Sequence, residues 1–182
     1  VATGLLAGVF RQVEEFYDPI ISITYPVPKI AMLPILFAWL GIGDQSKIAI
    51  ITVAVFYPMF IAAYYGAKGA TKIHIWSARN MGATRYTVFW KIIVPSALPQ
   101  IFLGLRVALA LSLVVMIAAE LVVSNTGLGF LIVQAEAGLR FDVMYVAIVV
   151  TALVGFFSDR ALLVIRRRIL RGQLVASAER DE

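Results

Sequence analysis

The chain has no cysteine, a single histidine and little charge: Lys, Arg, Asp and Glu make up 15% of its 182 residues. Without cysteine there is no disulfide, no thiol nucleophile and no thiolate metal site. His74 has no second histidine with which to share a metal. The scarcity of charge excludes an ordinary soluble domain, in which about a quarter of residues are charged. Disorder is excluded as well, because 61% of the residues are hydrophobic and 12% aromatic, and disordered chains are polar and poor in aromatics. No Gly-x-x-x-x-Gly-Lys-Ser/Thr loop occurs; GAKGATK, at 66–72, does not match it, so the chain lacks the usual cradle for ATP phosphates. A nucleophile elbow, a histidine–carboxylate cluster and metal-ligand spacing are also missing, which argues against a membrane enzyme. The opening VATGLLAGVF lacks the charged lead and cleavage site of a signal peptide. It is too short to span a bilayer and reads as the tail of a helix whose beginning is missing.

What is present is a set of long apolar runs separated by clustered charge, with mean hydropathy +0.89 and pI near 9.7. A bilayer span needs about 20 apolar residues. The clearest run is Ile48 to Tyr65, uncharged from Lys47 to Lys68 and interrupted only by Pro58, a residue that packed membrane helices tolerate. A second span is expected from about Pro99 to Val123, and a third from about Val143 to Ile165. Residues 18–43 are less regular, since Pro19, Pro26, Pro28, Pro34 and Lys29 interrupt them. A break at Pro26–Pro28 is expected there, followed by a kinked helix ending at Gly41-Ile42-Gly43. The fold class is therefore an all-α polytopic membrane bundle. The tail from Arg171 reads as a frayed, solvated end.

Charge sets the orientation. With the 66–98 loop and the C-terminus inside, the inner face holds Arg11, Lys68, Lys72, Arg79, Arg85, Lys91 and the 166–171 cluster, while the outer face holds Lys47 and Arg140. This satisfies the positive-inside rule. It also explains the basic pI without nucleic acid.

The loop WSARNMGATRYTVFWKIIVPSALPQ reads as two short helices with a hinge. Thr71 can cap the first and Thr84 the second, with Gly82 stopping the first in the left-handed region. Tyr86, Phe89, Trp90 and Ile93 fall on one helical stripe, and Pro95 and Pro99 would turn the chain into the next span. Taken alone, the pattern also suits a basic amphipathic helix resting on the membrane surface.

The loop resembles the cytoplasmic loop of the membrane subunits of binding-protein-dependent ABC importers. Gly82-Ala83 matches their glycine step, Ala78 their second alanine, and Phe89, Ile92, Ile93 and Pro95 their apolar, proline-ended close. Trp76 stands where Glu is usual and Ser77 where Ala is usual. YPVPKIAMLPILFAWLGIG and GLRVALALSLVVMIAAELVVSNTGLGFLI are similar to flanking segments of the sulfonate, taurine and nitrate branch, and the likeness covers about residues 4 to 172.

The resemblance implies a type I importer transmembrane domain over 1–172, lacking one or two N-terminal spans, with a cytoplasmic tail at 173–182. It implies a permease in the bacterial inner membrane with a cytoplasmic C-terminus, itself without enzymatic activity or cofactor. Expected partners are a separate ATP-binding subunit, an extracytoplasmic substrate-binding protein and a second permease copy. The 71–95 loop is then the coupling element, with Trp76, Ser77, Ala78, Arg79, Gly82, Ala83, Phe89 and Pro95 as its contact residues. In this reading Ala78 and Ala83 are small faces for close docking, and Gly82 and Pro95 pin a short lever.

Arg106, Met116 and Glu120 are the candidate pathway residues. Arg106 and Glu120 lie about 21 Å apart along one helix and cannot pair. Arg106 alternatively snorkels to the inner interface, Met116 is ordinary packing, and Glu120 bonds the backbone around Ser124–Gly127. The alternative class is a gradient-driven carrier or channel, which favours paired ionisable groups at mid-membrane.

Overall fold

Apolar length decides the architecture. The computed structural model describes residues 1–70 and 72–178, without the side chains of Lys72 and 171–178. Among the described residues there are nine α-helices: α1 (Ala2–Val9), α2 (Arg11–Thr24), α3 (Leu33–Leu40), α4 (Asp44–Lys68), α5 (Lys72–Asn80), α6 (Arg85–Val88), α7 (Val94–Val122), α8 (Leu128–Ala137) and α9 (Phe141–Ala178). A 3₁₀ turn at Lys29–Met32 leads into α3, and a π turn at Phe89–Ile93 joins α6 to α7. Among the described residues, three helical stretches are long and apolar enough to cross a membrane: Asp44–Lys68, Arg85–Val122 and Phe141–Leu170. All three expected spans are therefore present. Residues 11–24 with 29–40 form a fourth only if a broken pair is counted as one. The break falls at Tyr25–Pro28, where the Pro-x-Pro signal lies.

The chain divides into two units. The first comprises Val1–Pro26, Tyr57–Val107 and the chain from Ile165 onward. Its core is built around Leu5, Ala63, Ala67, Ala70, Val88, Ile93 and Ala97. The alanines matter because apolar lipid supplies no hydrophobic drive between helices, so close backbone packing must do so. The same logic places Gly4 and Gly8 of α1 against α4, where a Cβ on Gly8 would overlap Ala67. The N-terminal segment is thus a short helix docked on α4, ending at the extended Phe10.

The second unit comprises Val27–Phe56 and Ala108–Val164. Its core joins Leu33, Ile50, Ala54, Val115 and Ala119. Gly41, at φ 79°, ends α3, as the Gly-Ile-Gly turn suggests. The buried Ser46 hydroxyl donates to the Gly41 carbonyl at 2.5 Å and fixes that turn.

Three local expectations change. Pro95 and Pro99 do not turn the chain into a new span, because the helix is continuous from Arg85 to Val122. The π turn just before Pro95 widens the backbone where the proline ring would otherwise strike the Lys91 carbonyl, four residues back. Residues 128–137, expected as loop, form α8. Helix α9 continues through Ala178 rather than fraying at Arg171. Thr71 and the last four residues, 179–182, lie outside the described residues.

Candidate coupling loop

Helix α5 ends in a capping motif that its sequence dictates. Gly82 takes φ 83°, the left-handed conformation that glycine adopts without penalty. The Gly82 N–H donates to the Arg79 carbonyl at 3.0 Å and the Ala83 N–H to the Ala78 carbonyl at 2.9 Å. These two bonds make a Schellman cap. Thr84 then caps α6, its hydroxyl accepting from the Thr87 N–H at 3.2 Å. The hinge between α5 and α6 is thus a hydrogen-bonded corner rather than a slack linker.

This corner sorts the expected contact residues into two faces. Ala78, Ala83 and Phe89 pack, partly buried, against the first unit's own core. Ala78 and Ala83 thus help to seat the loop while each keeps part of its surface exposed. Trp76 is 65% exposed and Met81 86% exposed, and Ser77, Arg79 and Gly82 are exposed beside them. Ile73, one turn before Trp76, is exposed as well. Sequence reasoning missed Ile73 and Met81; the signal was an i, i+3 apolar pair and a methionine directly before the stopping glycine. Pro95 sits inside the long helix rather than at the end of a short lever.

The expected single stripe on the second helix also divides. Val88 and Ile93 are buried, whereas Tyr86 and Trp90 are exposed, with ring centroids 6.2 Å apart. The π turn at Phe89–Ile93 breaks the 3.6-residue period on which the stripe was read, and π turns are frequent at functional sites.

Arg106 belongs to the first unit and is exposed; Met116, half-buried, and Glu120 belong to the second. Glu120 is 8% exposed, and its carboxylate accepts from the Gly129 N–H at 2.8 Å. Gly129 lies in the first turn of α8, whose own N-cap position, Gly127, supplies no side chain. Glu120 therefore acts as the missing cap, and a carboxylate there also complements the helix dipole. The Glu120 bond falls on Gly129, two residues beyond the 124–127 segment.

One further polar cluster went unread in the sequence. Lys68, at the end of α4, pairs with Glu14 of α2 at 2.5 Å. The Tyr64 hydroxyl donates to the same carboxylate oxygen and accepts from Lys68. Glu14 is 50 or more positions from both of its partners, so no local pattern links it to them.

Membrane-length helices joined through an ordered, outward-facing loop define a polytopic helical membrane protein. Residues 1–171 match the family described as binding-protein-dependent transport system inner membrane component, and the chain belongs to that family. It is 37% identical over 169 residues to the taurine transport system permease protein TauC of Escherichia coli, covering 93% of this chain and 62% of that protein. It is 30% identical over 168 residues to the putative aliphatic sulfonates transport permease protein SsuC of Bacillus subtilis, covering 92% of this chain and 61% of that protein. The chain thus spans about three fifths of the length of these relatives. Its fold is similar to that of a chain of the MetNI methionine ABC transporter in inward-facing form, with TM-score 0.74 and 22% identity, covering 92% of this chain and 84% of that one.

Proposed function

We propose that the chain is the membrane-spanning permease of an ATP-driven importer, carrying a small sulfonate-, taurine- or nitrate-like anion received from an extracytoplasmic binding protein. Two copies pair, the loop and C-terminus face the cytoplasm, and a separate ATP-binding subunit engages the loop. The observation that carries the reading is the capped corner at Gly82. It holds Ile73, Trp76 and Met81 outward on a protein whose long helices mark it as a membrane bundle. Apolar side chains held rigidly in water suit a partner surface.

Trp76 in place of the usual acid makes this contact apolar rather than ionic. The continuity of Arg85–Val122 supports a direct lever, because α6 runs into α7 with no break in the helix. Glu120, capping α8, has a structural role in this reading, so selectivity falls to the binding protein and to other pathway residues.

The test is a disulfide crosslink. The chain has no cysteine, so Ser77→Cys, small and exposed, is a clean probe against cysteines placed in the groove of the co-expressed ATP-binding subunit. A crosslink whose yield changes with ATP is expected. A correctly inserted protein that crosslinks to no ATPase, with uptake that survives ATP depletion but not loss of the ion gradient, would move the chain to the gradient-driven class.

A further inference from the structure

A second feature of the first unit lies behind the loop. A cavity of about 480 Å³ opens between α1, the end of α4, α5 and the α6–π-turn segment. Ile75, Val88 and Phe89 contribute apolar surface to it, and Lys68, Arg79 and Arg85 bring cationic groups. No carboxylate lines it among the described residues. Lys68 is already held by Glu14 and Tyr64. The Arg79 and Arg85 side chains make no hydrogen bond or ion pair among the described residues.

We propose that this cavity binds the headgroup of an anionic phospholipid, the Arg79 and Arg85 guanidiniums taking the phosphodiester and the apolar floor taking the glycerol and first acyl carbons. Charge complementarity is the first argument, since guanidinium pairs bind phosphate oxygens in a fork and are weakly hydrated. Position is the second. The cavity sits where α4 ends and the 85–122 helix begins, both of membrane length. It is therefore at a bilayer boundary, where basic pockets between helices hold anionic headgroups. The third is that Trp76 and Ser77 of the exposed loop face do not line the cavity, while Arg79 stands at its rim and is shared with that face. An acidic side chain of the ATP-binding subunit would need the apolar floor less, and a free phosphate would not need it at all. The size lies within the range of pockets that enclose small organic groups.

Lipid occupancy would bear on transport. A headgroup bridging Arg79 of α5 and Arg85 of α6 would brace both sides of the Gly82 corner, so membrane composition would set how stiffly the loop is held.

The experiment is native mass spectrometry of the intact transporter in detergent, offered equal amounts of phosphatidylglycerol and phosphatidylcholine. Two surface cations are expected to favour the anionic lipid by about thirty-fold. The Arg79→Gln/Arg85→Gln double variant should fall to near parity, and Arg85→Gln alone to between the two. Arg167→Gln/Arg168→Gln, the same loss of charge on α9, should keep the preference. Equal retention of both lipids by the native protein would overturn the proposal. So would an equal loss in the two double variants, which would mark general surface charge. Displacement of the lipid by excess inorganic phosphate with no dependence on acyl chains would overturn it in favour of a free anion. The readout uses no ATP, so its failure leaves the Ser77 crosslink result standing, and the reverse also holds.

Discussion

Two glycines with positive φ stand at helix junctions, and their surroundings differ. Gly82 in the first unit and Gly127 in the second both have positive φ, 83° and 113°, and each is followed by a new helix. Around Gly82 nothing lies within 4 Å of where a Cβ would stand. At Gly127 that position is filled by the Glu120 carboxyl. The Gly82 corner is closed by backbone bonds and the Thr84 cap, and it leaves Trp76 and Met81 exposed. The other is completed by a buried acid from α7 and leaves nothing for a partner to supply. An unfilled corner fits a docking element; a filled one fits a fixed element of the fold.

The largest effect is expected at Gly127. Its φ of 113° with ψ of 174° is a region open essentially to glycine, costing other residues about 1–3 kcal/mol. A methyl there must also displace Glu120, an overpacking of about 1–3 kcal/mol more. Gly127→Ala should therefore lower the midpoint of thermal unfolding in detergent sharply. Gly82→Ala should move it far less, since only a conformational cost of about 1–2 kcal/mol applies. Equal shifts in the two variants would erase the distinction.

Glu120 comes next. Glu120→Ala strands the Gly129 N–H in a buried place, at about 1–3 kcal/mol, while Glu120→Gln can still accept that bond. The expected order of unfolding midpoints is native, then Gln, then Ala. If Glu120→Gln instead abolished uptake with the midpoint unchanged, the carboxylate would belong to the pathway and the structural account would fail.

At Gly82 the expected loss is functional. Gly82→Pro cannot reach φ 83° and removes the N–H that bonds Arg79. Inserted protein should persist while uptake falls at least about ten-fold, the equivalent of about 1.4 kcal/mol in coupling. Unchanged uptake would remove the corner from the mechanism.

The sequence showed the spans because a long apolar run has few alternatives in a bilayer. Gly82, Thr84 and the Pro26–Pro28 break were equally plain, since each acts through its own backbone. What stayed hidden depends on distant partners or on a changed period. Glu14 and Lys68 are 54 positions apart. Helix α8 carries no capping side chain of its own; its cap comes from Glu120, on the preceding helix. The π turn altered the period on which the Tyr86–Ile93 stripe rested, so Tyr86 and Trp90 turned outward while Val88 went in. Ala78 and Ala83 pack in part against the first unit's core, a contact that their size alone does not disclose.

The smallest effect comes from comparing the two carboxylates. Glu120 is buried and bonded to a backbone N–H, whereas the Glu14–Lys68 pair keeps side-chain exposures of 31% and 44%. Water and salt reach the second pair and not the first. Glu14→Gln should therefore cost less than about 1 kcal/mol, because Gln can still accept from Tyr64 and Lys68 while losing only a screened charge. That cost should shrink further as salt rises toward about 1 M, where the screening length is about 3 Å. The cost of Glu120→Ala should stay nearly constant over the same range. A salt-independent loss at Glu14 would mean that its cluster is shielded in the membrane. The junction of α2 with α4 would then be as closed as the Glu120 corner rather than an open surface beside the cationic cavity.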